Sequence, residues 1–132
     1  MAVSQPTDAL DGVFAVIVDG EKERRALLAG ILRYCGALVA PAEAPDDALT
    51  IMSLLRPDVL VVDVPGVDDS GFAFMRMVRA LAADAGGAVK AIAVGEDEEA
   101  ETRARDEGFD SYLVRPLEPW EICRAVASLL DT

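Results

Sequence analysis

The apolar positions of this chain fall into five short runs, each followed by a segment whose apolar residues recur at helical spacing. The first run, Phe14-Ala15-Val16-Ile17-Val18, is unbroken and rich in branched side chains. A parallel strand buried on both faces has this pattern, because neither of its faces meets water. A helix is predicted from about Glu21 to Cys35, with Leu28, Ile31, Leu32 and Cys35 on one stripe and Gly36 as its stop. Ala37 to Ala40 reads as a weaker edge strand that ends at Pro41. The next helix spans Pro45 to about Leu55, with Asp46 and Asp47 in its first turn and Pro57 closing it. Val59-Leu60-Val61-Val62 is the most hydrophobic run and is expected at the centre of a sheet.

Beyond a loop from Val64 to Ser70, a helix is predicted to about Ala83, with Phe74, Val78 and Leu81 on one side. Val89 to Val94 forms a fourth strand, and Glu96 to Glu107 is helix-like with only Ala100 and Ala104 as an apolar seam. So thin a seam predicts a weakly held helix. Ser111 to Val114 is the fifth strand, and the last helix opens at Pro119 and turns Ile122, Val126, Leu129 and Leu130 inward. Five consecutive strand–helix units call for right-handed crossovers and a parallel sheet covered on both sides, an α/β doubly wound architecture. Residues 1–12 are expected to be a mobile lead-in and 13–132 the domain, with no effector domain after the last helix.

Composition narrows the partners. With 132 residues the chain builds one core, and 24 acidic against 12 basic residues give a net charge of -12. That charge repels a phosphate backbone, so no nucleic acid is expected, whereas a partner with a basic face is readily accommodated. No apolar run approaches the roughly 20 residues of a membrane helix, and the start does not read as a secretory signal, so no membrane is expected and the cytoplasm is the default location. The chain has no histidine and two distant cysteines, which argues against a structural zinc site. Cys35 and Cys123 are expected as reduced, buried hydrophobes at opposite ends of the sheet, too far apart to bridge.

In a doubly wound sheet, sites form at the carboxyl ends of the strands where strand order reverses. There the first strand ends in Asp19-Gly20-Glu21, the third in Asp63, the fourth in Gly95-Glu96 and the fifth in Arg115-Pro116. In a 2-1-3-4-5 order Asp19 and Asp63 are neighbours, with Arg115 entering from the other side.

These residues resemble those of response regulator receiver domains of two-component signalling, over roughly Phe14 to Leu130. Val18-Asp19-Gly20-Glu21 is similar to the acidic pair after the first strand. Val61-Val62-Asp63 with Gly71 eight positions on has the phosphoacceptor spacing. Gly108-Phe109-Asp110-Ser111-Tyr112-Leu113-Val114-Arg115-Pro116-Leu117 follows the closing motif, with arginine for lysine. The resemblance implies a flavodoxin-like (βα)5 fold and a phosphorelay. In it Asp63 accepts a phosphoryl group, Asp19, Asp63 and the Pro65 backbone carbonyl ligate Mg2+, Arg115 pairs with phosphate or with Asp63, and Gly95, Tyr112 and Trp120 belong to the switch and interface.

Several positions depart from that pattern. Gly20 removes one acid of the pair, and Glu21 stands one position too late to replace it. Pro65 restricts the loop from Val64 to Gly71. Gly95 lacks the hydroxyl that would meet a phosphate oxygen, and Glu96 stands where a small residue leaves the site open. Arg115 keeps the charge but carries a planar fork suited to a carboxylate. The reading is therefore an atypical receiver in which Mg2+ binds weakly or not at all, signalling through protein contacts. Its implied partners are a histidine kinase or phosphotransfer protein and an output protein or domain, with a homodimer through the fourth helix, fifth strand and fifth helix. It is expected not to be an enzyme beyond self-phosphorylation on Asp63. The alternatives are a working phosphoacceptor at Asp63 and, more remotely, a flavodoxin-like cofactor binder. The last lacks a phosphate-cradling loop, since Asp19 to Arg24 places carboxylates there.

Overall fold

The computed structural model describes residues 8–131. The unbroken apolar runs become strands: β1 Phe14–Val18, β3 Val59–Asp63 and β4 Lys90–Gly95, with β2 Leu38–Ala42 and β5 Ser111–Val114 at the edges. They form one parallel sheet in the order β2-β1-β3-β4-β5, as expected. Val16, Ile17, Leu60, Val61, Ile92 and Ala93 are all buried, because helices cover both faces. Alternate strand residues divide between two cores. Ala15, Ile17, Val61 and Ile92 meet Leu28, Leu32, Ile122 and Val126 from α1 (Lys22–Tyr34) and α5 (Glu121–Leu130). Val16, Leu60, Val62 and Ala93 meet Met52, Phe74, Met75 and Val78 from α2 (Pro45–Leu54) and α3 (Ser70–Arg79), and Ala104 from α4 (Glu101–Asp106). Among the described residues no helix is long and apolar enough to cross a membrane.

Several boundaries differ from the pattern-based reading. β2 does not stop at Pro41 but carries it in register with Ile17 and runs to Ala42. An edge strand tolerates proline because half of its N–H groups face no neighbouring strand. α3 ends at Arg79 rather than near Ala83, and Leu81 is exposed instead of lying with Phe74 and Val78. The Arg79 guanidinium donates to the carbonyls of Gly87 at 3.0 Å, Val89 at 2.5 Å and Gly108 at 2.8 Å, and pairs with Asp110 at 3.2 Å. It thereby ties the end of α3 to the entries of β4 and β5. Gly87 packs so closely on the Leu81 carbonyl that a Cβ would overlap it.

The weakly seamed fourth helix is short. A 3-10 turn, Glu98–Ala100, precedes six α-helical residues in which only Ala104 is buried. Arg103 lies 4.2 Å over the Phe72 ring, and Arg103 and Arg76 share Asp69 and Glu107. These contacts are largely exposed and add little to the hold on the helix.

Two corrections concern the ends of the α1/α5 layer. The lead-in expected over residues 1–12 is packed at its end: Leu10 is fully buried, and its N–H donates to the Cys35 carbonyl at 2.9 Å. Residues 1–7 of that stretch lie outside the described residues. The last helix opens at Glu121, not Pro119, and Pro116, Leu117 and Pro119 before it line a groove together with Leu27, Leu28 and Ile31 of α1. The first turn of α5 meets the last turn of α1. Trp120 packs on Tyr34 with ring centroids 5.4 Å apart, and the Cys35 and Cys123 sulphurs lie 2.6 Å apart. The expectation that the two cysteines sit at opposite ends of the sheet is overturned by this contact.

Candidate functional site

β1 and β3 are adjacent and parallel, so their carboxyl ends deliver Asp19 and Asp63 to the same rim. The Asp19 N–H donates to the Ala42 carbonyl at 3.1 Å, and its Oδ1 accepts the Glu21 N–H at 2.9 Å. Glu21 is the N-cap of α1: its carboxylate accepts from the N–H groups of Glu23 at 3.2 Å and Arg24 at 2.7 Å. Those bonds hold the Glu21 carboxyl below its ordinary range. Committed to the cap, Glu21 does not replace the acid missing at Gly20. The same cap sets Arg24 in the first turn of α1, within reach of the strand ends.

Arg24 grips Asp19 twice, Nε to Oδ2 at 3.0 Å and Nη2 to Oδ1 at 2.8 Å, and the same Nη2 lies 3.4 Å from Asp63 Oδ2. Arg115 enters from the end of β5, its N–H bonded to the Gly95 carbonyl at 2.7 Å. Its Nη2 lies 2.8 Å from Asp63 Oδ1 and 3.5 Å from Asp19 Oδ2. Each guanidinium thus bridges both carboxylates, and the four charges cancel. Arg115 Nη2 is buried without a well-aligned hydrogen bond, so its hold on Asp63 is a close ionic contact rather than a directed one. Arg25 adds a bond to the Asp19 backbone carbonyl at 2.9 Å.

Burial pushes the Asp63 carboxyl above its ordinary value; the Arg115 contact opposes this and the negative charge of Asp19 adds to it. The hydrogen bond to Asp19 raises the Arg24 guanidinium as well, which for a cation means further into its charged form. Asp19 and Asp63 border a cleft of about 250 Å3 that Arg24, Glu43, Pro65, Asp68 and Ser70 also line. Asp68 is engaged there by Ser70, accepting from its N–H at 2.9 Å and its hydroxyl at 2.6 Å.

This donor set does not fit a resident magnesium ion. Magnesium needs oxygen ligands that are free to converge. Every oxygen of Asp19 and Asp63 faces a guanidinium nitrogen, and Gly20 has no side chain to offer. Among the described residues no three histidine, cysteine, aspartate or glutamate side chains come together to hold a metal.

Gly95, at the end of β4, has a second consequence. Tyr112 turns inward over it and donates its hydroxyl to the Asp97 carbonyl at 2.6 Å, leaving the residue 8% exposed. A Cβ at position 95 would overlap that hydroxyl. Tyr112 therefore occupies the space above β4 instead of presenting its ring on the outer face, and burial raises its phenol.

Of the residues singled out from sequence, Asp19, Asp63 and Arg115 meet in one cluster and Pro65 lines its cleft. Gly95 and Tyr112 touch each other, while Trp120 is turned away against α1. Arg24 was missed. The available signal was a basic residue one turn into a helix that starts at a strand's carboxyl end.

Comparison with known proteins agrees with this fold. The model of the response regulator receiver domain matches residues 15–127. An uncharacterised 14.6 kDa protein of Leptolyngbya boryana is 34% identical over 116 residues, covering 84% of this chain and 85% of that protein. A chain described as a response regulator from Chloroflexus aurantiacus superposes with a TM-score of 0.81 at 26% identity, covering 91% of this chain and 98% of that one. The chemotaxis response regulator CheY4 of Vibrio cholerae superposes at 0.80 with 22% identity, covering 89% and 98% of the two chains. The chain belongs to the response regulator receiver family, the signalling modules of two-component systems, whose partners are histidine kinases and output domains.

Proposed function

We propose that this receiver signals through protein contacts, with its acidic site neutralised by Arg24 and Arg115 instead of by magnesium and a phosphoryl group. The observation that supports it is the pair of guanidinium bridges across Asp19 and Asp63. An isolated pair of buried carboxylates would repel and would draw in a divalent cation. Here two internal cations already satisfy them, and a phosphoryl group on Asp63 would have to displace the Arg115 contact. Gly95 provides no hydroxyl for a phosphoryl oxygen, and Tyr112 already lies inward without one.

The docking surface in this reading is formed by α4, β5 and α5. One buried side chain holds α4, which leaves the helix free to adjust to a partner or to a second copy of the chain. Tyr112 and Trp120 contribute less there than their positions in sequence suggested, since one is buried and the other packs on Tyr34. A cytoplasmic location is consistent with this role.

The test is incubation of the purified chain with acetyl phosphate and magnesium, followed by intact-mass and peptide mass spectrometry. No phosphoryl adduct on Asp63 is expected. A stoichiometric adduct there would establish the working phosphoacceptor instead, with Asp63 the substrate of a histidine kinase.

A further inference from the structure

The Cys35 and Cys123 pair lies outside the carboxylate site and plays no part in the receiver reading. Cys35 is the C-cap of α1 and Cys123 lies in the first turn of α5, 88 residues away in sequence. Their sulphurs are 2.6 Å apart, well inside the 3.5–4.0 Å or so at which unbonded carbon atoms rest and only somewhat beyond an S–S bond of about 2.05 Å. Two cysteines that served only as small apolar fillers would not need their sulphurs aimed at each other. The chain has no third cysteine, so a bridge between these two leaves no thiol over and has no competing partner.

The surroundings hold the pair in place. Trp120, the N-cap of α5, stacks on Tyr34, the last residue of α1, beside the pair. The Leu10 N–H bonds the Cys35 carbonyl, and the Cys123 thiol donates weakly to the Ile31 carbonyl at 3.7 Å. We propose that Cys35 and Cys123 are a reversible modification site, forming an intramolecular disulfide that joins α1 to α5 when a small peroxide oxidises the protein.

The chemistry balances with hydrogen peroxide as the oxidant. One thiol loses its proton and its sulphur attacks the peroxide; an S–O bond forms, the O–O bond breaks and water leaves. The second thiol then loses its proton and attacks the sulfenic sulphur; the S–S bond forms, the S–O bond breaks and a second water leaves. The two electrons lost by the sulphurs reduce the peroxide. Both cysteines have 0% exposure, and burial pushes the Cys123 thiol up, so thiolate is scarce while the helices are closed. Local opening of the first turn of α5 therefore sets the rate. A small peroxide should act faster than a bulky disulfide such as oxidised glutathione. Once formed, the bridge restricts the unfolded chain over a long loop and fixes α5, a helix of the proposed docking surface, against α1.

The test uses the reduced full-length chain, treated with hydrogen peroxide, quenched in acid, unfolded with an alkylating agent and weighed intact without reductant. The expected product has lost the mass of two hydrogens, takes up no alkyl group, yields one linked peptide pair containing Cys35 and Cys123, and reverts with dithiothreitol. Its denaturant midpoint should lie above that of the reduced chain. Thiols that remain alkylatable after methionines have oxidised, separate oxidation of the two sulphurs, or a bridge between two chains would each overturn the proposal. None of these readouts requires a variant to fold, and none depends on the state of Asp63.

Discussion

Arg24 holds Asp19 through two nitrogens, Nε on one carboxylate oxygen at 3.0 Å and Nη2 on the other at 2.8 Å. This side-on grip fills the coordination side that a metal would need, and the same Nη2 reaches on to Asp63. In the proposed reading, a helix-borne arginine takes the place of a divalent ion between two strand-end acids.

Arg24→Ala should accordingly do two things. It removes a partner from a carboxylate that is 1% exposed, while Arg24 itself is 36% exposed, so solvent offsets part of the loss. The expected destabilisation is about 2 kcal/mol, between the values for exposed and buried pairs. In exchange, oxygens of Asp19 and Asp63 are released, and magnesium should raise the urea midpoint of the variant but not of the native chain. Equal stabilisation of both by magnesium would show that Arg24 does not compete with the metal.

Gly95→Ala tests the inward tyrosine. The added Cβ overlaps the Tyr112 hydroxyl, so the ring should swing outward and give up its bond to the Asp97 carbonyl, at a cost of about 1 kcal/mol. Freed from burial, the phenol should titrate nearer its ordinary value of 10.0. Ultraviolet difference spectra across alkaline pH read this directly, with Tyr112→Phe identifying which of the two tyrosines moves. An unchanged titration would mean that the neighbours yield and the ring stays.

Asp63 predicts a pH dependence of stability. Its carboxyl is held above the ordinary value of 3.8, chiefly by burial, so the folded chain binds this proton more tightly than the unfolded one. The associated stabilisation is complete below the unfolded value and is lost as pH rises through the raised folded value. Asp63→Asn has no such contribution. The stability of the native chain minus that of the variant should therefore fall as pH rises through this range and then level off. Urea midpoints measured on both proteins provide the difference; a rise over the same range would mean that the arginines outweigh burial.

Leu10→Ala should cost about 3 kcal/mol, because a fully buried leucine leaves a cavity that the surrounding α1/α5 layer closes only in part. Thermal or urea unfolding measures it. A loss within experimental error would restore the view that the packed domain starts at residue 13.

Much of this protein was legible in its sequence because the relevant physics is local. A four-residue branched run such as Val59-Leu60-Val61-Val62, closed off by Pro57 before it, suits a strand covered on both sides, and such strands alternating with helices favour a parallel sheet. Parallel neighbours end at one rim, so Asp19 and Asp63 had to meet, with Arg115 following from β5. The structure alone decided which of several polar groups would satisfy those acids. Arg24 is placed by the Glu21 cap and by its own rotamer, and its position one turn into α1 is shared by Arg25, so spacing alone does not select it. Leu81 looked like a core residue by helical spacing, yet the helix ends at Arg79, whose guanidinium bonds the Val89 and Gly108 carbonyls, and Leu81 is exposed. Cys35 and Cys123 are 88 residues apart, and the pattern placed them at opposite ends of the sheet. The first turn of α5 packs on the last turn of α1, and such contacts between distant segments are not encoded in sequence periodicity.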